Sequence, residues 1–249
     1  METVKATPLT ARCARIYAER DHALLGVSAL NGYFSLEAVT ELLRWALARF
    51  ARTDVLLPGP ELAGTLAARG YDPDKARSRS RKETNRTRNR VARALASLGD
   101  PKVGVFTWTD LRDNPAYRRL HAEVGRLFAT DSAFKEHCVQ AVAPLVATGP
   151  PSREQIDKAM PFLLAELPLV LDSPGILGTR SSVFCYPRLL PLAERLYSGT
   201  LPVFPRRGQG ILTTRLTRVV ADADHYGRGG HELSGTQRGQ RLRHERHEP

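Results

Sequence analysis

The early part of the chain alternates between short apolar runs and one segment with helical periodicity. His22–Val27 is largely apolar and runs into a loop at Ser28, as a buried strand does. Ser35 is a suitable N-cap for an amphipathic helix, since apolar residues then recur at helical spacing over four turns. Asp54–Leu57 is a second short strand. This order predicts a parallel sheet with a right-handed crossover.

A third strand is predicted at Val103–Thr107, after a further helix. Three successive strand–helix steps indicate an α/β protein with a Rossmann-like three-layer fold, a central, mainly parallel sheet and one long basic helix. Ligands of such sheets bind beyond the carboxyl ends of the strands, which is where Ser28 is predicted to lie.

The second half of the chain is predicted to be largely helical. The periodicity is helical from Pro115 to about Val146, and a helix that begins at Ser152 is expected to stop at Pro168. We expect residues 1–220 to form a single Rossmann-like domain. Residues 221–249 are dominated by Gly, Arg, His and Glu, so we expect them to form a disordered polar tail.

Composition narrows the class of protein. The 249 residues are 42% apolar and carry 37 basic against 26 acidic side chains, for a net charge of +11, which favours a polyanionic partner. Cys13, Cys138 and Cys185 are odd in number and far apart, which fits neither a disulfide framework nor a zinc site with paired ligands. The charged N-terminal segment does not resemble a signal peptide, and we expect a cytoplasmic protein that is neither secreted nor membrane-spanning.

Most of the positive charge falls in one predicted helix. Asp72 and Pro73 favour a helix start, and Leu98-Gly99 a stop. Residues 75–93 contain nine basic side chains and a single acid, Glu83, whereas a merely solvated face usually interleaves both signs. We therefore favour nucleic-acid binding over the alternative of a solvated face. At 100° per residue, six cations form one stripe: Lys75, Arg79, Lys82, Arg86, Arg90 and Arg93.

Three further side chains are candidates for chemistry. Ser28 follows Gly26 at a strand end, but Leu30 replaces the second glycine of a nucleophile elbow, so a loop or capping serine is the alternative. Glu166 is a lone acid in an apolar helical turn, either an Arg-paired core acid or a carboxylate that binds a substrate amine. Tyr186 taken alone is typical of a core tyrosine.

Together these features resemble the tRNA-dependent cyclodipeptide synthases. The resemblance spans roughly residues 20 to 215 and depends on the order and spacing of several stretches rather than on any one motif. The matching stretches are His22–Ser35, Trp45–Asp54, the basic helix, Leu164–Leu169, Asp172–Gly175 and Ser181–Tyr186.

The resemblance implies a monomeric catalytic domain akin to that of class I tyrosyl- and tryptophanyl-tRNA synthetases. Such enzymes consume two aminoacyl-tRNAs and release a cyclic dipeptide, a 2,5-diketopiperazine, by ping-pong catalysis. The ester arrives already activated, so no cofactor is expected. The sequence agrees, since it contains no GxxxxGK[ST] loop.

The resemblance also implies roles for individual residues. Ser28 is the expected nucleophile that takes the first aminoacyl group, and Gly26 keeps its surroundings open. Glu166 is expected to hold the ammonium of that group. Tyr186 is expected to orient it and assist proton movement during cyclisation, and Asn31 to line the second acceptor position.

The resemblance places the first aminoacyl pocket among apolar side chains. An indole and a phenyl ring in one pocket favour a small first residue such as alanine, with ordinary core packing of the tryptophan as the alternative. The expected pocket residues are Leu24, Leu56, Trp108, Phe162 and Phe184.

Two features depart from the family pattern. Phe162 stands where the family usually has a tyrosine, one turn before Glu166, which removes a hydroxyl from the amine site. Asn31 is typical of one branch of the family and Pro187 of the other, and we favour the branch marked by proline.

Two other functions remain as alternatives. A non-catalytic tRNA- or RNA-binding protein would use the same basic helix. An ester hydrolase with incidental affinity for nucleic acid is disfavoured by the failed elbow.

Overall fold

A six-stranded sheet forms the centre of the described residues, 3–147, 149–189 and 191–217 of a computed structural model. The strand order is β1-β6-β5-β2-β3-β4; β1 pairs antiparallel with β6, and the other neighbours pair parallel. The predicted Rossmann-like, mainly parallel sheet is therefore confirmed. The strands are β1 (Val4–Pro8), β2 (His22–Gly26), β3 (Arg52–Leu57), β4 (Gly104–Thr107), β5 (Ser182–Tyr186) and β6 (Gln209–Leu216).

Helices pack on both faces of the sheet and give three layers. They are α1 (Ala11–Glu19), α2 (Leu36–Leu47), α3 (Leu62–Ala68), α4 (Pro73–Ser97), α5 (Pro115–Thr130), α6 (Ser132–Val146), α7 (Arg153–Leu177) and α8 (Pro191–Tyr197), with a 3-10 turn at Trp108–Leu111.

Alternation along the central strands separates two apolar clusters. Leu25 and Val55 pack with α2 and α4, while Leu24, Leu56 and Phe184 pack on the opposite face with α5 and α7. A third cluster joins α3, α5, α6, α7 and α8. The sheet therefore separates the long basic helix α4 from α7.

Helix starts follow the predicted caps closely. Ser35 accepts a hydrogen bond from the Ala38 backbone N–H, and Asp72 caps α4 immediately before Pro73. The expected stop at Pro168 is wrong, because α7 continues to Leu177 and kinks only at Asp172. Burial against α3, α5 and α6 outweighs the cost of about 3 kcal/mol of a proline inside a helix.

Helix α7 has the length and the apolar composition of a helix that could cross a membrane. Its most apolar 18-residue window has a mean hydropathy of 1.4, but 61% of that window is buried inside the protein. The helix is thus a core element of the fold. The polar tail expected at 221–249 lies outside the described residues.

A buried polar network joins the three central strands near their starts. His22 Nδ1 shares a hydrogen bond with Ser182 Oγ at 2.7 Å, and His22 Nε2 lies 3.2 Å from Asp54 Oδ2. Asp54 also accepts from the Gly104 N–H at 2.9 Å and pairs with Arg52 at 2.6 Å. Burial alone raises the pKa of Asp54, but these contacts together hold it below its usual value. The network ties β2, β3 and β5 together at the edge opposite their carboxyl ends.

Candidate active site

A cavity of about 160 Å³ lies at the carboxyl ends of β2, β3 and β5. Helices α3, α6, α7 and α8 close it from the side. Its walls are mostly apolar, with a few polar groups that converge on it, which is typical of a small-molecule site. The polar and charged lining residues are Ser28, Thr65, Arg69, Glu166, Tyr186 and Arg188.

Ser28 lies two residues beyond β2 and lines the cavity, half-buried. The Val27 N–H donates to the Leu56 carbonyl at 2.9 Å, which extends the strand pairing up to this loop. Among the described residues no hydrogen bond reaches the Ser28 hydroxyl, so the structure does not use it as a cap. The hydroxyl therefore remains available to a molecule in the cavity.

Gly26 makes space for two aromatic rings at the same edge. A Cβ at this position would lie 3.0 Å from Phe184 Cζ and 3.1 Å from Tyr186 Cδ2, which is tighter than ordinary packing. The glycine thus lets these rings lie over the end of β2. Tyr186 also packs against Phe34, with ring centroids 5.7 Å apart.

Glu166 brings a carboxyl group into this apolar space from α7. Within the described ranges it has neither a hydrogen bond nor an ion pair, so it is not the Arg-paired core acid considered from the sequence. Burial raises the pKa of Glu166 to about 7. A cation bound beside it would favour the ionised form, since no protein group in the described ranges compensates that charge.

Aromatic side chains form one wall of the cavity. Trp108 is buried at the end of β4, and its ring meets Phe162 edge-on at 5.1 Å between centroids. The indole N–H donates to Glu61, which fixes the orientation of the ring. Gly59 is needed here, because a Cβ would overlap the indole nitrogen. Leu56 and Phe184 complete this wall.

Two expected site residues lie behind or beside the cavity rather than in its lining. Leu24 is fully buried in the apolar cluster that also contains Leu56, Trp108 and Phe184, so it supports the wall from within the sheet. Asn31 accepts a hydrogen bond from the Tyr33 N–H at 2.9 Å and thereby shapes the loop that follows Ser28.

Three further residues line the cavity that the sequence patterns do not indicate. Arg69 at the end of α3 and Arg188 after β5 bring exposed cations to the cavity, and Leu145 brings an apolar wall from α6. The spacing of Arg69 and Leu145 along the chain carries no signal, since only the packing of α3 and α6 against α7 brings them here. Arg188 is at the cavity because it follows Tyr186 by two residues beyond the end of β5.

The six-cation stripe projects from α4 into solvent. Five of its side chains are exposed and Arg90 is half-buried. Arg86 pairs with Glu83 at 2.9 Å, and Arg79 contacts Tyr71. The charge therefore remains largely uncompensated by the described part of the protein. The small or apolar side chains that form the buried face of the helix are Ala76, Ser80, Thr87, Val91 and Ala94.

Sequence comparison connects these features to known proteins. The model of the cyclodipeptide synthase family matches residues 4–215. The chain is 34% identical to the cyclo(L-leucyl-L-leucyl) synthase of Bacillus subtilis, over 83% of this chain and 87% of that protein. It is also 34% identical to the cyclo(L-tyrosyl-L-tyrosyl) synthase of Mycobacterium tuberculosis, over 84% of this chain and 72% of that protein.

Solved structures agree with the sequence comparison. A Mycobacterium tuberculosis protein, described as relating cyclodipeptide synthetases to type I tRNA synthetases, matches with a TM-score of 0.80 and 31% identity, over 86% of this chain and 94% of that one. Tyrosyl-tRNA synthetase from Archaeoglobus fulgidus matches with a TM-score of 0.51 and 12% identity, over 82% of this chain and 58% of that one, which shows a shared fold.

The buried carboxyl group of Glu166 should make the free energy of unfolding depend on pH. The pKa of Glu166 is raised on folding from 4.5 to about 7, so the native state holds more protons than the unfolded state between these pH values. The free energy of unfolding therefore falls as pH rises through this window. We expect Glu166→Gln to be more stable than the wild type at pH 8, by roughly 1–3 kcal/mol, with the difference vanishing near pH 4.

Chemical denaturation across pH measures this effect. Glu123→Gln is the matched control, because Glu123 pairs with Arg206 at 2.6 Å and its loss should not stabilise the protein. Destabilisation by Glu166→Gln at pH 8 would mean that the carboxylate has a structural partner.

Proposed function

The chain belongs to the cyclodipeptide synthase family of tRNA-dependent aminoacyltransferases, and we propose that it joins two aminoacyl groups from tRNA into a 2,5-diketopiperazine. The observation that carries this proposal is the convergence of Ser28, Glu166 and Tyr186 on one apolar cavity, with the carboxyl group unpartnered among the residues that the structure describes.

The proposed first step is transfer of an aminoacyl group to Ser28. Its Oγ attacks the carbonyl carbon of the ester, the bond from that carbon to the terminal ribose oxygen breaks, and the serine proton leaves with the ribose. The ester is already activated, so the transfer consumes no nucleotide. Covalent catalysis divides the coupling into two easier transfers.

Glu166 is the proposed binding group for the ammonium of the aminoacyl-enzyme. In a cavity with apolar walls, a carboxylate–ammonium contact is favourable because each charge otherwise lacks a partner. Because burial disfavours the ionised carboxylate, Glu166 can also accept one proton from this ammonium before the amine reacts. The neutral amine attacks the carbonyl carbon of the second aminoacyl ester and forms the peptide bond. The bond from that carbon to the ribose oxygen breaks, and the amine's extra proton leaves on that oxygen with the second tRNA.

The final proposed step is cyclisation of the dipeptidyl-enzyme. The terminal amine attacks the Ser28 ester, the carbon–Oγ bond breaks, and the proton returns to the serine oxygen. Tyr186 is the proposed group that orients the amine and assists this proton movement. Asn31, which shapes the loop after Ser28, is proposed to border the position of the second aminoacyl group.

The basic stripe is the proposed contact for the tRNA acceptor arm. Exposed arginines neutralise phosphate without reading base sequence, so they supply affinity to both substrates. We propose a cytoplasmic, monomeric enzyme, which fits three free cysteines that are all buried. The second candidate function, RNA binding without catalysis, is favoured only by the stripe and leaves the unpartnered Glu166 without a role.

Ser28→Ala tests the covalent mechanism. It should abolish both the cyclic dipeptide and the aminoacyl-enzyme while tRNA binding and thermal stability stay unchanged, because it removes only the attacking oxygen. Mass spectrometry of product and intact protein measures both losses. Ser198→Ala, an exposed serine outside the cavity, is the control. Product formation by Ser28→Ala near the wild-type rate contradicts the mechanism.

Trp108→Ala tests the proposed preference for a small first residue. Removing the indole opens the cavity beside Leu56 and Phe184, so larger aminoacyl groups should enter, with a change in discrimination of about 1–3 kcal/mol per methylene. Competition between alanyl-, leucyl- and phenylalanyl-tRNA, read as product masses, measures the change. An unchanged product distribution, with the fold intact, contradicts a role for Trp108 in selection.

Neutralising the stripe tests the tRNA contact. Replacing Arg79, Arg86, Arg90 and Arg93 by Ala should reduce the slope of log K against log salt by roughly 0.7 to 0.9 for each phosphate that the protein no longer neutralises. A matched variant removes four exposed arginines elsewhere, namely Arg112, Arg118, Arg126 and Arg153. Equal slopes for the two variants would show that only net charge matters and that the stripe is a solvated face.

A further inference from the structure

We infer that Arg69 and Tyr71 form a binding platform for the unpaired 3′ end of an RNA, between the basic stripe of α4 and the cavity. The inference rests on the proposed use of aminoacyl-tRNA and identifies the residues that would guide its terminus. It arises from the short connection between α3 and α4, to which the proposed reaction steps give no function.

The connection between the two helices is rigidly built. Arg69 is the C-cap of α3, and Gly70 has a φ of +91°, which favours glycine. The Gly70 N–H donates to the Ala67 carbonyl and the Tyr71 N–H to the Leu66 carbonyl, at 3.0 and 3.2 Å, which is a Schellman motif. The backbone at Arg69 and Tyr71 is therefore fixed before any ligand binds, which lowers the entropy cost of binding.

Arg69 lies where a phosphate could approach the cavity. Its side chain lines the cavity and is exposed, and its Nε donates to the Leu145 carbonyl at 2.7 Å. A guanidinium has five N–H donors, and within the described ranges no other protein acceptor for them is found. Burial of part of the guanidinium and the nearby Arg79 cation lower the pKa of Arg69. An anion bound here would relieve that repulsion.

Tyr71 places an aromatic ring beside this cation. The ring is 37% exposed, and Tyr71 and Phe204 are the large hydrophobic side chains exposed in the described part of the chain. The Arg79 guanidinium lies 4.9 Å from the ring centroid and also donates to the Tyr71 hydroxyl. An exposed aromatic ring beside arginines is the combination on which unpaired bases stack.

The order of these residues explains why the ligand is an unpaired end. Arg79 is the member of the stripe that contacts Tyr71. Arg69 lies near Arg79 and lines the cavity that contains Ser28, so these residues form a path from the stripe to the cavity. A duplex can lie along α4, but it cannot enter a cavity of about 160 Å³. Only a single strand can connect the two, and its last bases would pass Tyr71 while its phosphates pass Arg69.

Two RNA hairpins test the inference without catalysis. They share one stem, and one ends blunt while the other has an unpaired four-nucleotide 3′ extension ending in CCA, with no aminoacyl group. The wild-type protein should bind the extended hairpin more tightly. Tyr71→Ala should weaken its binding about 5- to 100-fold and leave the blunt hairpin unchanged, because stacking on the ring involves only the unpaired bases.

Further variants separate stacking from local structure. Tyr71→Phe keeps the ring and should retain the preference for the extension, and Arg69→Met should lower it while reducing its salt dependence. Phe204→Ala, the other exposed aromatic in the described residues, is the control. Equal binding of both hairpins by the wild type, or loss of both by Tyr71→Ala, overturns the inference. A failure to form cyclic dipeptide counts against the proposed function alone, because this binding assay needs no turnover.

Discussion

The buried contact between His22, Asp54 and Ser182 holds together the strands on which the whole site depends. These residues come from β2, β3 and β5, and the contact lies within the sheet, far from solvent. Removing one partner of such a buried polar group leaves the others unsatisfied, which costs several kcal/mol. The contact thereby sets the relative positions of three strands whose opposite ends carry Gly26, Leu57 and Tyr186. The cavity is assembled at those ends.

The cavity at these strand ends contains the Glu166 carboxyl group, whose ionised form is unfavourable there. An unpartnered carboxyl group in an apolar cavity costs stability whenever it is ionised. Glu166 has this environment, while other acids such as Asp54 and Glu123 have cationic partners. This contrast supports the proposal that Glu166 is a binding group rather than a structural acid.

The sequence predicts local structure well where the signal is local. The caps at Ser35 and Asp72 mark the starts of α2 and α4 correctly, because a short polar side chain before an apolar or basic periodic segment has one main structural use. The prediction of the end of α7 is wrong, because the cost of Pro168 is local while the compensating burial comes from three other helices. The pattern does not predict the N-terminal strand β1, since its partner β6 lies at the other end of the described chain. The site shows the same division: residue types alone leave Ser28 as a loop serine or a nucleophile, and the position of Arg69 at the cavity results from helix packing.

The central claim is that Glu166 meets the ammonium of an aminoacyl group on Ser28. Infrared or NMR titration of labelled glutamate carboxyl groups, assigned by the signal that Glu166→Gln removes, measures this directly. In the free protein the Glu166 carboxyl should titrate near pH 7, because its burial raises the pKa to about 7. After loading with one aminoacyl-tRNA, its pKa should fall clearly below that of the free protein, because the bound cation favours the carboxylate. A pKa that stays near 7 on the loaded protein would contradict the account.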